Sequence, residues 1–160
     1  VERGLGSKGR KYNKRVYYIF MEKVIAVARA SSKVAPSTFY DRWLDLGSWS
    51  DWDLDVEWAT LVGPMIQGGV GEMKPKRGPK VSIKIESLEL GSSFVNSSRL
   101  VGAKLIFGHF LLAREDGGSD IEVAVSLSGP MTWMWRRILA PGIRSNTKAS
   151  LDRLVEMVEN

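Results

Sequence analysis

His109 is the only histidine in the chain, and so the only side chain whose ordinary pKa lies near neutrality. Facing a cavity, it can serve as a general acid or base or orient a ligand oxygen. Facing a packed core or a rim, it is a structural group tied to a backbone carbonyl. No serine–histidine–acid set accompanies it. The chain has no cysteine, which excludes thiol chemistry and disulfides, and with one histidine a zinc site of the usual kind is not expected. The acidic run Asp41, Asp45, Asp51, Asp53, Asp55 and Glu57 lacks the glycine and ligand spacing of a calcium loop, and reads as a solvated helix face and turn. Gly63 and Gly68 stand at phosphate-loop spacing, but Gly69 and Val70 occupy the positions that need Lys and Ser or Thr. Gly68-Gly69-Val70-Gly71 lacks the strand–turn–helix setting of a dinucleotide site. No metal and no cofactor are therefore expected.

A second group has chemistry of a softer kind. Met131, Trp133, Met134, Trp135 and Ile138 crowd the start of a long helical pattern. They read either as core packing or as the mouth of a pocket, where flexible Met and flat Trp adapt to varied ligands. Arg136, Arg137 and Arg144 flank that region as a solvated face or as partners for an anionic head group.

The elements that must position these residues follow from periodicity. Ile121, Val123, Val125 and Leu127 alternate with Glu122, Ala124 and Ser126, marking a strand with one buried face and one wet face. Gly129-Pro130 ends it and opens a helix. Ile143, Thr147, Leu151, Leu154, Val155 and Val158 then form one apolar stripe. Pro141-Gly142 interrupts the run and predicts a kink or break near 139–142, since an interior proline costs roughly 3 kcal/mol. Such a break would free the first segment to act as a lid. Upstream, a first strand covers about 21–31. Short helices follow at Pro36–Trp43 and around Trp49-Ser50-Asp51-Trp52. Five more strands are expected at Val56–Val62, Gly68–Met73, Lys80–Leu90, Phe94–Val101 and Lys104–Arg114, before the one at Ile121. Val81, Ile83 and Ile85 share one face of the fourth strand, and Leu105, Phe107, His109 and Leu111 share one face of the sixth. The two faces of the fifth cannot be ranked.

Adjacent strands joined by short turns imply an antiparallel sheet, and one long helix must cover its apolar face. The predicted class is α+β: a curved sheet of about seven strands wrapped round a C-terminal helix, with two short helices after strand 1. A single helix leaves part of so broad a sheet uncovered, and the remaining space is a natural apolar pocket. Its expected lining is Trp52, Ile83, Ile85, Phe107, His109, Leu111, Met134, Trp135, Ile138 and Ile143. A ligand burying about 250 Å² there would gain roughly 6 kcal/mol before association costs.

Charge argues against a nucleic-acid partner. The net charge is +5. Residues 1–20 carry Arg3, Lys8, Arg10, Lys11, Lys14 and Arg15 against Glu2, which accounts for all of it and leaves 21–160 neutral. That basic tail reads as an arm for nucleic acid or anionic lipid, or as vector-derived or upstream sequence before a start at Met21, which is the preferred reading. Ordered structure is expected from near Tyr17. The expected division is a tail, 1–20, and one ligand-binding domain, 21–160. Glu22 and Lys23 break the only signal-like run, and no stretch approaches the ~20 apolar residues of a membrane span, so a cytoplasmic protein without stable membrane insertion is expected.

Several features in this order resemble a known family: Ala35-Pro36 before the first short helix, Trp49 and Trp52 in the second, and Gly68…Gly71-Glu72 at the third strand. His109 in the sixth strand, Gly117-Gly118 in the turn after it and Gly129-Pro130 before the last helix complete the set. Over about residues 21–158 the chain resembles the START-related, birch-pollen-allergen-like superfamily (SRPBCC), in its polyketide cyclase/dehydrase and lipid-transport-like group. The resemblance implies a helix-grip fold and, as a class, a cavity for a hydrophobic or amphipathic small molecule. It implies no fixed catalytic set. The leading expectation is a protein that binds a lipid-like or aromatic molecule. The alternatives are a cyclase/dehydratase-type enzyme using His109, and a protein-interaction or co-chaperone-like module or homodimer.

Overall fold

The structure is a computed structural model and describes residues 14–160. Its elements run α1 (Lys14–Phe20), β1 (Lys23–Ser32), α2 (Pro36–Leu44), a 3-10 turn (Leu46–Ser48), α3 (Trp49–Trp52), β2 (Val56–Val62), β3 (Val70–Pro75), β4 (Val81–Glu89), β5 (Ser93–Leu100), β6 (Ala103–Ala113), β7 (Ser119–Ser128) and α4 (Thr132–Glu159). The seven strands form one antiparallel sheet in the order β1-β7-β6-β5-β4-β3-β2. Short turns account for the neighbours β2 to β7. β1 closes the far side by pairing with β7, Ala28 opposite Val123. α4 lies along β1, and α2 and α3 cover the rest of the concave face. This is the helix-grip arrangement.

Alternation sorts the side chains. Ile83 and Ile85 of β4, Phe94 of β5, Leu111 of β6 and Ile121 and Val123 of β7 enter the main core with Phe39, Trp43, Trp49, Trp52, Leu151 and Leu154 from the helices. The fifth strand is now ranked: Phe94, Asn96 and Ser98 turn toward the core and Val95 and Ser97 away from it.

The expected wet face of β7 is not wet. Glu122, Ala124 and Ser126 are as buried as their apolar neighbours. The cause is α1, which lies on the convex side and packs Val16, Tyr17 and Met21 against Val95, Ile106, Phe110, Leu112 and Ala124. Ser126 donates to the Phe20 carbonyl at 2.7 Å, and Arg29 reaches the Glu122 carboxylate at 2.8 Å. Gly108 makes room for this layer, since a Cβ there would meet Met21 and Phe110 below 3 Å. Helical structure thus begins at Lys14, ahead of the expected Tyr17; the rest of the basic tail, 1–13, lies outside the described residues.

The expected break near 139–142 is absent. α4 is continuous for 28 residues with Pro141 inside it. Pro141, Gly142 and Arg137 are all exposed, so water can satisfy the Arg137 carbonyl that the proline leaves without its helical donor. The lid that such a break would have hinged has no hinge there.

Candidate functional site

His109 lies midway along β6, opposite Phe94 on β5 and Val123 on β7, and turns into the concave side. Its ring sits between Trp43 and Phe94, with centroids 5.0 Å and 5.4 Å away. Nδ1 is 3.0 Å from the Phe94 carbonyl oxygen. A carbonyl only accepts, so Nδ1 carries the proton and Nε2 is the basic nitrogen of the neutral ring. Nε2 has no hydrogen-bond partner among the described residues. Burial holds the pKa down to about 4, against the opposing pull of the Phe94 hydrogen bond, so the ring is neutral at pH 7.

Two small adjoining cavities open in front of it, of about 40 and 60 Å³. Trp52, Phe107, His109, Asp53 and Asp55 border both. The first continues to Trp43, Val123, Leu151 and Leu154, and the second to Trp49, Asn96 and Ser98. The space expected beneath the helix is therefore much reduced. Trp43, Phe39 and Phe94, all fully buried, fill what α4 leaves uncovered. What remains has room for only a few water molecules and is well below the roughly 300 Å³ of a typical small-molecule site.

Asp53 ends α3 and faces the same space. Its carboxylate accepts from the Asp55 N–H at 2.9 Å and lies 3.5 Å from the Ser150 hydroxyl. Burial pushes its pKa up to about 6. The Asp55 charge adds to the rise, while the Asp55 N–H, Ser150 and Lys76 oppose it. The α3–β2 loop is also latched to α4: Leu54 N–H donates to Ser150 Oγ at 2.9 Å, and Asn146 donates to the Asp55 carboxylate at 2.5 Å. The indole N–H groups of Trp43 and Trp52 are buried without a hydrogen-bond partner among the described residues.

The residues expected to line a pocket are dispersed. Trp52, Phe107 and His109 border the cavities. Ile83, Ile85 and Leu111 belong to the packed core. Trp135 and Ile143 pack on a separate cluster with Phe107, and Trp135 Nε1 donates to the Val101 carbonyl. Met134 is partly buried on the first turns of α4, and Ile138 is 60% exposed on an outer groove. Asp53, taken with its neighbours as a solvated run, is instead drawn into the site, and Trp43, Asn146 and Ser150 join it. Only Trp43 had a signal, its four-residue spacing from Phe39. The others depend on how α4 meets the α3–β2 loop. No cluster of three metal-ligating side chains occurs among the described residues.

No protein-family model matches the chain, and no curated protein matches it. Solved structures do. The Zhui aromatase/cyclase from Streptomyces sp. R1128 superposes with TM-score 0.70 at 8% identity, over 84% of this chain and 92% of that one. The hypothetical protein jhp0584 from Helicobacter pylori gives 0.69 at 12% identity, over 96% and 98%. Ara h 8.0201 gives 0.62 at 16% identity, over 83% and 95%. The chain thus shares the helix-grip fold of these structures.

Proposed function

We propose that the protein binds a small amphipathic or aromatic molecule between its sheet and α4. The observation that carries this reading is a convergence of polar groups on an aromatic-walled space. The cavities are bordered by two indoles with unpartnered N–H groups and by a histidine with an unpartnered Nε2. Leaving a buried donor unpaired costs about 1–3 kcal/mol, and a ligand hydroxyl, which can accept from an indole N–H and donate to Nε2, would remove that cost. The space is too small for such a molecule in this state. Entry requires the α3–β2 loop to leave α4, breaking the Ser150–Leu54 and Asn146–Asp55 hydrogen bonds. The fold shared with the Zhui aromatase/cyclase is compatible with such a ligand.

A second reading is catalytic. A fixed tautomer gives His109 a proton-accepting Nε2, and Asp53, its pKa raised to about 6, stands at the same cavities and carries a proton below that pH. Two groups pushed in opposite directions around one space suit proton transfer on a bound carbonyl compound. Native mass spectrometry with organic extraction of the purified protein tests the first reading. A co-purifying molecule, or a naphthol or fatty acid that raises the melting temperature, is expected. A clean mass with no stabiliser across that panel would remove the binding reading. Any molecule found then separates the two roles: His109→Ala retains most of its affinity in a carrier and abolishes turnover in an enzyme.

A further inference from the structure

We propose that one end of the molecule, built from the N-terminal half of α4 and the β5–β6 and β3–β4 turns, docks on an anionic membrane surface. Strand register gathers these parts. Lys104 pairs with Ser128 where β7 exits toward α4, and Met73 pairs with Val81 beside the β3–β4 turn. Met131 N–H donates to the Gly102 carbonyl, fixing the first turn of α4 on the β5–β6 turn. From this end protrude Trp133, Val101 and Ile138, which are 72%, 75% and 60% exposed. Lys76, Arg77, Arg136 and Arg137 stand exposed around them, without ion-pair partners among the described residues.

The charge is polarised. The opposite end shows the exposed acids Glu115 and Asp116 in the β6–β7 turn and Glu156 and Glu159 at the end of α4, with Lys33 among them and Arg114 paired to Asp116 at 2.9 Å. The 28 residues of α4 separate the two ends by about 40 Å. A chain that is neutral over 21–160 can therefore still be oriented by an anionic surface. A bilayer fits better than a soluble acidic protein because Trp133 and Val101 protrude singly, 72% and 75% exposed. A tryptophan ring suits the head-group level while arginine and lysine meet lipid phosphates.

An open groove of about 600 Å³ runs here between Lys76 and Arg77 on one side and Ile138 and Ile143 on the other, ending at Asp55 and Asn146. Those two residues also border the cavity mouth. Docking would thus turn the mouth toward the membrane, so a lipid-derived ligand could pass without crossing water. That consequence rests on the proposed binding function; the docking does not.

The test is flotation of the full chain with empty phosphatidylcholine vesicles and with phosphatidylcholine vesicles containing phosphatidylglycerol. Both variants keep the basic tail: K76Q/R77Q/R136Q/R137Q and W133S/I138S. All six positions are exposed, and unchanged thermal unfolding verifies that the variants fold. The parent is expected to float only with anionic vesicles, less so as salt rises, and each variant to lose about tenfold or more in affinity. Failure of the parent to float overturns the proposal. So does flotation of both variants like the parent, which assigns binding to the tail. Loss in the charge variant alone, with W133S/I138S unaffected, also overturns it and points to a soluble acidic partner. None of these outcomes depends on a cavity ligand.

Discussion

His109 and Asp53 ionise in opposite senses around one space, and folding stability reads each separately. The folded pKa of His109, about 4, is below its ordinary 6.5, so the unfolded chain binds more protons between those values. Its contribution is fully present above about pH 6.5 and is lost as pH falls toward 4. Asp53 is raised from 3.8 to about 6, so the folded state binds more protons in that window, and stability is lost as pH rises through it. Each effect is about 3 kcal/mol at most, smaller for the partly exposed Asp53, and in the parent protein they largely cancel. Urea unfolding from pH 4 to 6.5 should therefore be nearly flat for these two groups. Asp53→Asn should gain stability as pH rises, and His109→Gln should lose it. Parallel profiles for all three proteins would show that the groups are not placed as described. Alternation alone put His109 and Phe107 on the inner face of β6. It said nothing of Asp53, because burial of that carboxylate comes from α4 passing over the α3–β2 loop, 97 residues away in sequence from Ser150.

At the scale of elements, the strands were legible because alternation holds along most of each inner face, interrupted only by register shifts at Val24/Ala26, Val56/Trp58 and Ile85/Ser87. The two misjudged features share one cause: an element covers, or is solvated by, something its own pattern does not encode. β7 reads as half-wet, yet α1 from the other end of the chain covers its outer face. Pro141 reads as a break, yet it falls on the solvent side of α4, where water replaces the missing donor. The proline is thus tolerated at a cost. Pro141→Ala restores a donor to the Arg137 carbonyl and should stabilise the protein by about 1–3 kcal/mol. Gly142→Ala, where a Cβ meets nothing within 4 Å, should add about 0.5–1 kcal/mol. Thermal unfolding checks both, and a neutral or destabilising Pro141→Ala would mean that a bend at 141 is needed for α4 to follow β1. That contact is specific as well as apolar. Arg144 and Lys148 donate to the Ile25 and Arg29 carbonyls at 2.7 and 3.1 Å, so α4 also shields the open edge of the sheet.

At the scale of the whole molecule, the neutrality of 21–160 was visible in composition, but its separation into a basic and an acidic end was not, because register decides which turns meet. The same scale raises the question of where the folding unit begins. Residues 1–20 read as a basic tail preceding the domain at 21–160. α1 nevertheless buries Val16 and Tyr17 over five apolar side chains that would otherwise face water on the convex side. Protein beginning at Met21 should lose several kcal/mol of stability, since Tyr17→Ala by itself should cost about 3 kcal/mol. It should also self-associate through the uncovered patch, because contiguous exposed apolar surface of this kind favours association. Urea unfolding and size-exclusion chromatography read the two effects independently. If the shortened chain is monomeric and as stable as the full one, α1 is a passive layer and the unit begins at 21. If it is destabilised and associates, and Tyr17→Ala moves the same way, the unit begins no later than Lys14. The outer face of β7 is then a second core that needs the N-terminus to close it.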